Sequence, residues 1–351
     1  MSASPASGSS RVAARSAERR AAELADGLAA FLRFELGDGA EPVVRAVEPV
    51  ASIGNARDPW AFEVAWRSGD GVERTQRCVM LLKADAGQLE TRLGPEFHAI
   101  AALHGSGVPV APALWLDETG RWLGQPFFVT GFVDGTASMR PLRVEGGVEE
   151  IRSVALALAR AAGRLHRFDW GAAGLAEHLP VVPADRVALA ELERWEELFV
   201  RHRLEPHPGL VYLFEWLRQR APVAERISVV HGDLRFGNVL YAGDRLMALL
   251  DWEMVHLGDP LEDLGWVYRK IWTPVRSLGF DEFLTAYEAE AGWAVDREGL
   301  RWYEVFCEVK HAMISLTGAR SFHDRGTLNL RHADRASTVA AFLQRAFELV
   351  G

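Results

Sequence analysis

The chain has 351 residues, 49% hydrophobic and 25% charged, with a formal net charge of −9. That length suits one large enzyme or two lobes sharing a cleft, and the composition fits a globular protein with a sizeable core. The negative balance argues against a general nucleic-acid binder, which needs a basic face. No apolar run approaches the roughly 20 residues needed to span a bilayer, which argues against a membrane role. Two cysteines, Cys78 and Cys307, lie in apolar runs. They read as buried, reduced thiols of a cytoplasmic protein, not as a disulfide framework or a metal cluster.

The opening MSASPASGSSRVAARSAERR has no apolar h-region and is not a secretory signal. Residues 1–15 read as a disordered tail. Over residues 16–35, Ala, Leu and Phe recur at helical spacing. From about Val43 to Lys83 the pattern changes to strands, with Ala61–Trp66 and Arg77–Lys83 flanking a Ser68–Gly71 turn cluster that predicts an antiparallel hairpin. A short helix is expected over Pro95–His104, then strand-like runs at Val108–Leu116 and Gln125–Val133. Beyond Asp134-Gly135 the chain becomes mainly helical, with Ile151, Val154, Leu158 and Leu165 on one apolar stripe. The fold class is therefore α+β: a strand-rich N-terminal lobe over 16–133, with a leading helix, and a mainly helical C-terminal lobe over 134–351.

Within the helical part, a short strand pair around residues 228–251 carries the chemistry. Ile227–Val230 is an apolar run that delivers His231-Gly232-Asp233 to its end. Val239–Tyr241 and Leu246–Leu250 form a hairpin around Ala242–Arg245, which returns Asp251 to the neighbourhood of Asn238. Asp233, Asn238 and Asp251 are thus gathered at one edge. This trio suits phosphoryl transfer: one carboxylate orients a hydroxyl and accepts its proton, while an Asn and a second Asp supply hard oxygen ligands for Mg²⁺. A two-carboxylate glycosidase would not need the intervening Asn and Gly pattern. No GxSxG elbow supports a serine hydrolase.

HGDLRFGN at 231–238, together with LLDWEMVHLGDPLEDLGW at 249–266, resembles the aminoglycoside phosphotransferase superfamily, most of all its branch allied to acyl-CoA dehydrogenases. The resemblance implies a protein-kinase-like two-lobed fold with a small antiparallel-sheet lobe. It implies ATP and Mg²⁺ as cofactors, Asp233 as catalytic base, Asn238 and Asp251 as metal ligands, and His231 as a loop-shaping residue. Arg235 falls where many protein kinases carry a catalytic-loop lysine and would neutralise charge on the transferring phosphoryl group.

In the nucleotide-binding lobe, Lys83 shares a strand face with Val79 and Leu81 and matches the phosphate-contacting cation of the family. Glu96 is its expected partner, with Glu90 as the alternative. Gly54 lies where the phosphate-covering loop belongs, in a segment with one glycine and no GxGxxG. Gly131 and Val133 match the lobe-connecting hinge that offers backbone hydrogen bonds to adenine. Asp259, Pro260 and Glu262 read as N-cap, N1 and N3 of a capping box. Asp263 either braces the catalytic loop or faces solvent.

The expected partner is a small-molecule hydroxyl acceptor, with no nucleic acid and no membrane, and nothing in the chain specifies an oligomeric state. Five arginines against three acids in Arg320–Gly351, and eight of twelve tryptophans beyond Gly135, disfavour a polycationic aminoglycoside. They agree with the branch whose acceptors include hydroxyacyl-CoA thioesters. The alternatives are a ligand-sensing pseudokinase and an antibiotic-modifying kinase.

Overall fold

The computed structural model describes residues 6–50, 57–83, 92–137, 147–269, 278–324 and 330–351. The chain divides into two compact units. The first contains helix α1 (Ala6–Leu36) and strands β1 (Val43–Pro49), β2 (Arg57–Arg67), β3 (Glu73–Lys83), β4 (Ala113–Asp117) and β5 (Phe127–Gly131). The strands make an antiparallel sheet in the order β1-β2-β3-β5-β4.

Strand periodicity divides this sheet into two faces. Trp60, Phe62 and Val64 of β2 pack with Cys78, Met80 and Leu82 of β3 against Leu24, Leu28, Phe31 and Leu32 of α1. The alternate residues of β3, Val79, Leu81 and Lys83, are on the opposite, less buried face, as their spacing predicts. Helix α1 begins at Ala6, inside the stretch expected to be a disordered tail. The physical reason is composition, because Ala, Arg and Glu, which dominate residues 11–23, are strong helix formers.

The second unit contains α2 (Leu93–Leu103), α3 (Val148–His166), α4 (Val187–His202) and α5 (Pro208–Gln219). Short strands β6 (Ser228–Val230), β7 (Val239–Ala242), β8 (Arg245–Leu249) and β9 (His256–Gly258) follow, then α6 (Leu261–Val267), α7 (Phe280–Ala291), α8 (Arg297–His323) and α9 (Leu330–Val350). The segment Gln88–Ala111, expected in the N-terminal lobe, groups with this unit, so Glu96 and Lys83 belong to different units.

Helix α8 is the axis of the second core. Trp302, Phe306, Val309 and Met313 pack with Trp195 of α4, Phe214 of α5, Trp266 of α6 and Phe342 of α9. Strands β6 and β9 pair antiparallel, as do β7 and β8. Among the described residues, no helix is long and apolar enough to cross a membrane. Cys78 and Cys307 are free and buried, as expected, and burial pushes the Cys78 thiol up to about 12.

Helices α3 and α7 approach each other at Gly163. A Cβ there would stand 2.8 Å from Glu290 Cβ and 2.9 Å from the Tyr287 carbonyl oxygen and the Ala291 nitrogen. Gly163→Ala should therefore lower the melting temperature. Overpacking against backbone costs about 1–3 kcal/mol, more than the ~1 kcal/mol that alanine contributes through helix propensity. An unchanged or raised melting temperature would show that the two helices separate at little cost.

Candidate active site

Buried groups hold the loop 231–233 from two sides. The Asp263 carboxylate accepts hydrogen bonds from the backbone N–H of His231 (2.7 Å) and Gly232 (3.0 Å), and it meets His166 Nε2 at 3.1 Å. Asp263 is fully buried. Burial would raise its pKa, but the His166 bond and the surrounding positive and N–H groups outweigh that and hold it below the ordinary value. Asp263 is thus the brace of the loop and does not face solvent.

From the other side, Lys310 of α8 donates to the Gly232 carbonyl and to Glu262 Oε1 (2.8 Å). Gly232 itself has φ 80°, and a Cβ would lie 2.5 Å from the Met254 carbonyl oxygen. Only glycine fits there. Glu262 corrects an expectation. Its side chain points to Lys310 and His256, not back to a helix N-terminus. The capping box is therefore incomplete, although Asp259 Oδ1 does accept from the Leu261 N–H at 2.9 Å. A buried carboxylate beside a buried ammonium gains more from that charge than from a backbone N–H.

His231 shapes the loop as a neutral imidazole. Its Nδ1 accepts from the Asp233 N–H (3.2 Å) and its Nε2 donates to the Leu250 carbonyl (3.0 Å). Burial lowers its pKa, against the pull of Asp263 and Asp233. The Leu250 N–H donates to the Asn238 carbonyl at 2.8 Å. The β7–β8 hairpin therefore brings Asp251 beside Asn238, as the turn spacing predicts. Asp251 has φ 67°, a left-handed conformation that non-glycine residues rarely adopt and that clusters at functional sites.

The Asp233 carboxylate accepts from three side chains: Arg235 Nε (3.0 Å to each oxygen), Asn238 Nδ2 (2.7 Å to Oδ2) and Trp266 Nε1 (2.6 Å to Oδ1). Asp233, Asn238 and Arg235 are thus brought together. The Asn238 amide also donates to the Asp233 carbonyl at 2.9 Å, and no donor among the described residues takes its Oδ1.

The remaining candidates are in other places. Lys83 ends β3 in the first unit, and Glu96 is buried on α2 in the second. Gly54 and Glu90 lie outside the described residues. The Gly131 N–H is already committed to the Pro112 carbonyl at 2.9 Å, which leaves its carbonyl as the group for a ligand. Val133 opens the second unit.

Three functional contacts escaped sequence reasoning: Trp266 on Asp233, Lys310 on Gly232, and His166 on Asp263. The only signal for Lys310 was a lone lysine within the apolar stretch of CEVKHAM.

The family model described as "APH: Phosphotransferase enzyme family" matches residues 55–303. Acyl-CoA dehydrogenase family member 10 of Mus musculus is 28% identical over 181 residues, covering 49% of this chain and 16% of that protein. Acyl-CoA dehydrogenase family member 11 of Gallus gallus is 27% identical over 174 residues, covering 49% of this chain and 22% of that protein. The chain thus spans less than a quarter of the length of these curated relatives.

A crystal structure from Ralstonia eutropha JMP134, provisionally classed as an aminoglycoside phosphotransferase, superposes with a TM-score of 0.72 at 23% identity, covering 92% of this chain and 97% of that one. Choline kinase LicA from Streptococcus pneumoniae superposes with a TM-score of 0.56 at 13% identity, covering 91% and 99%. At such identities the likeness shows the fold, which is protein-kinase-like, with a small antiparallel-sheet lobe and a larger, mainly helical one.

His256 offers a pH test of the supporting cluster. Burial opposes its charge, but Glu191 and Glu262 outweigh it and raise its pKa from 6.5 to about 9. A raised value means that the folded state holds the proton longer. The stabilisation is complete below pH 6.5 and is lost as pH rises through about 9. Asp259, raised to about 7 by burial, adds its own decline at lower pH, largely complete by about pH 8, so the window above that is mainly the one of His256. Melting temperature should fall across that window, and His256→Gln should flatten the slope. An identical slope in the variant would assign the titration elsewhere.

Proposed function

Because the chain belongs to the APH phosphotransferase enzyme family, we propose that it transfers the γ-phosphoryl group of ATP to a hydroxyl of a small molecule, with Mg²⁺. The observation that carries this reading is the Asp233 carboxylate, paired to Asn238 at 2.7 Å on a loop whose backbone is held from both sides by Asp263 and Lys310. Loose phosphoryl-transfer transition states ask the protein mainly for positioning and electrostatic stabilisation. A rigid loop serves the first need.

Asp233 orients the acceptor hydroxyl and takes its proton as the oxygen attacks phosphorus. Asn238, through Oδ1, and Asp251, through its carboxylate, would hold Mg²⁺; this hard-oxygen set fits that ion. Bound there, the ion supplies charge neutralisation on the phosphate oxygens. Arg235, 27% exposed along its side chain, adds a positive charge at the same carboxylate. Lys83 takes the α/β-phosphates. The carbonyl of Gly131 and the backbone of Val133 receive the adenine. For the acceptor, the names of the matched relatives support an acyl thioester bearing a hydroxyl group.

Two substitutions test these roles. Asp233→Asn should fold and bind Mg·ADP as the wild type does, while ADP formation with 3-hydroxybutyryl-CoA falls about 10²- to 10⁴-fold, the usual range for a general base. Wild-type turnover in that variant would remove Asp233 from the chemistry. For the metal, ATP at one hundred times its dissociation constant should stabilise the wild type by about 2.7 kcal/mol in Mg²⁺ and much less in EDTA. Asp251→Asn should lose most of that difference; a full Mg²⁺-dependent shift in the variant would mean that other oxygens hold the ion.

A further inference from the structure

Among the described residues, one set of three His, Cys, Asp or Glu side chains brings its ligand atoms within 4.8 Å of one another. It consists of Glu191 of α4, His256 of β9 and Glu262 of α6. All three residues belong to the second unit. None is among the proposed Mg²⁺ ligands.

The imidazole is prepared to be a ligand. Its Nδ1 lies 3.0 Å from the Met254 carbonyl oxygen, which can only accept a hydrogen bond. Nδ1 therefore carries the proton, and in the neutral ring the lone pair is on Nε2. An outer-shell carbonyl of this kind fixes the tautomer and orientation of metal-binding histidines.

Nε2 itself is buried and has no hydrogen-bond partner, although Glu262 Oε2 stands only 3.4 Å away. The two atoms are close but not aligned for a mutual bond. Ligand atoms on a tetrahedral zinc ion, with arms of about 2.0–2.1 Å, are about 3.3 Å apart. The His256–Glu262 spacing matches that edge.

The carboxylates have oxygens to offer. Lys310 takes Oε1 of the buried Glu262 at 2.8 Å, which leaves Oε2 for an ion. Glu191 pairs with Arg194, three residues along α4, at 3.2 Å. Arg194 is partly exposed, and ion pairs at the surface are weak enough to rearrange. Lys310 opposes a second cation, yet the carboxylates prevail at Nε2. Glu191 and Glu262 overcome burial and raise the pKa of His256 to about 9. The same negative field favours a divalent ion, and in metal-free buffer the proton occupies that place.

We propose that Glu191, His256 and Glu262 bind a divalent transition metal, with zinc as the ion that fits one imidazole nitrogen and two carboxylate oxygens. Three protein ligands would leave the fourth tetrahedral position to water. The ion would fix the carboxylate that holds Lys310 and, through Lys310, the Gly232 carbonyl. Binding needs neither nucleotide nor acceptor, so the assignment stands apart from the phosphotransferase reading.

The test is calorimetric titration of the untagged, EDTA-stripped chain with ZnCl₂ in buffer containing MgCl₂. One zinc ion per chain should bind. His256→Gln and Glu191→Gln should each weaken that binding about tenfold or more, since loss of even an outer-shell partner costs 10- to 100-fold. Asp251→Asn, which alters the proposed Mg²⁺ site, should bind zinc as the wild type does.

No zinc binding by the wild type overturns the proposal. So does undiminished binding by either folded variant, or loss of binding in Asp251→Asn. Circular dichroism checks that each variant is folded. Should both ligand variants unfold, zinc-edge X-ray absorption of the wild-type complex decides. Nitrogen and oxygen ligands at about 2.0 Å, with one imidazole among them, uphold the site. A missing imidazole, or a sulfur at about 2.3 Å that assigns the ion to a cysteine, overturns it.

Discussion

A buried carboxylate on α6 determines where the reactive loop can be. Asp263 takes the N–H groups of two consecutive residues, His231 and Gly232, and a third contact from His166 on α3. Successive backbone N–H groups converging on one anion fix the peptide planes between them. Burial alone would favour the neutral acid, so the bonds must exceed that penalty for the carboxylate to stay charged, and the lowered pKa indicates that they do. Without Asp263, two buried N–H groups would be left unpaired just past the end of strand β6, immediately before Asp233. Its removal would therefore disturb geometry and stability together.

The ammonium of Lys310 complements that brace. It is buried beside the indoles of Trp266 (4.7 Å) and Trp195 (5.6 Å), and it satisfies the Gly232 carbonyl while pairing with Glu262. One residue of the loop, Gly232, is thus held by an anion at its N–H and by a cation at its carbonyl. Helix α8 carries Lys310, so the core axis of the second unit also supports the loop. Packing and site chemistry share one helix.

Much of the site was legible because it is local. HGDLRFGN and the hairpin after it place Asp233, Asn238 and Asp251 through turn geometry alone, over nineteen positions. Period-two alternation likewise predicted that Lys83 leaves the face occupied by Cys78, Met80 and Leu82. What remained hidden depends on separations that no local pattern encodes. His166 meets Asp263 across 97 positions, and Lys310 meets Gly232 across 78. Glu262 was misread because Asp-Pro-x-Glu is a sound local cap signature, yet tertiary pairing with Lys310 offered a stronger partner. The grouping of Glu96 with the second unit has the same origin. A helix following strands in sequence carries no mark of the core it joins.

The hydrogen bonds on Asp233 bear on how it can act. A carboxylate has about four lone-pair sites, and Arg235, Asn238 and Trp266 already occupy most of them. In the proposed reaction an incoming hydroxyl would take the place of one of these donors. Trp266 is 2% exposed and Asn238 6%, so both are fixed by packing. The Arg235 side chain is 27% exposed, and its guanidinium lies over Gly237, where a Cβ would stand 2.3 Å from Nη1. Arg235 is thus the most exposed of the three donors. In the proposed reaction, displacement by the hydroxyl would let the Arg235 charge act on the phosphoryl group as negative charge redistributes in the transition state. The same displacement would leave Oδ1 to Trp266 and Oδ2 to Asn238, holding the carboxylate plane fixed while the hydroxyl proton is accepted. In this arrangement orientation comes from the buried donors, and charge compensation comes from the exposed one.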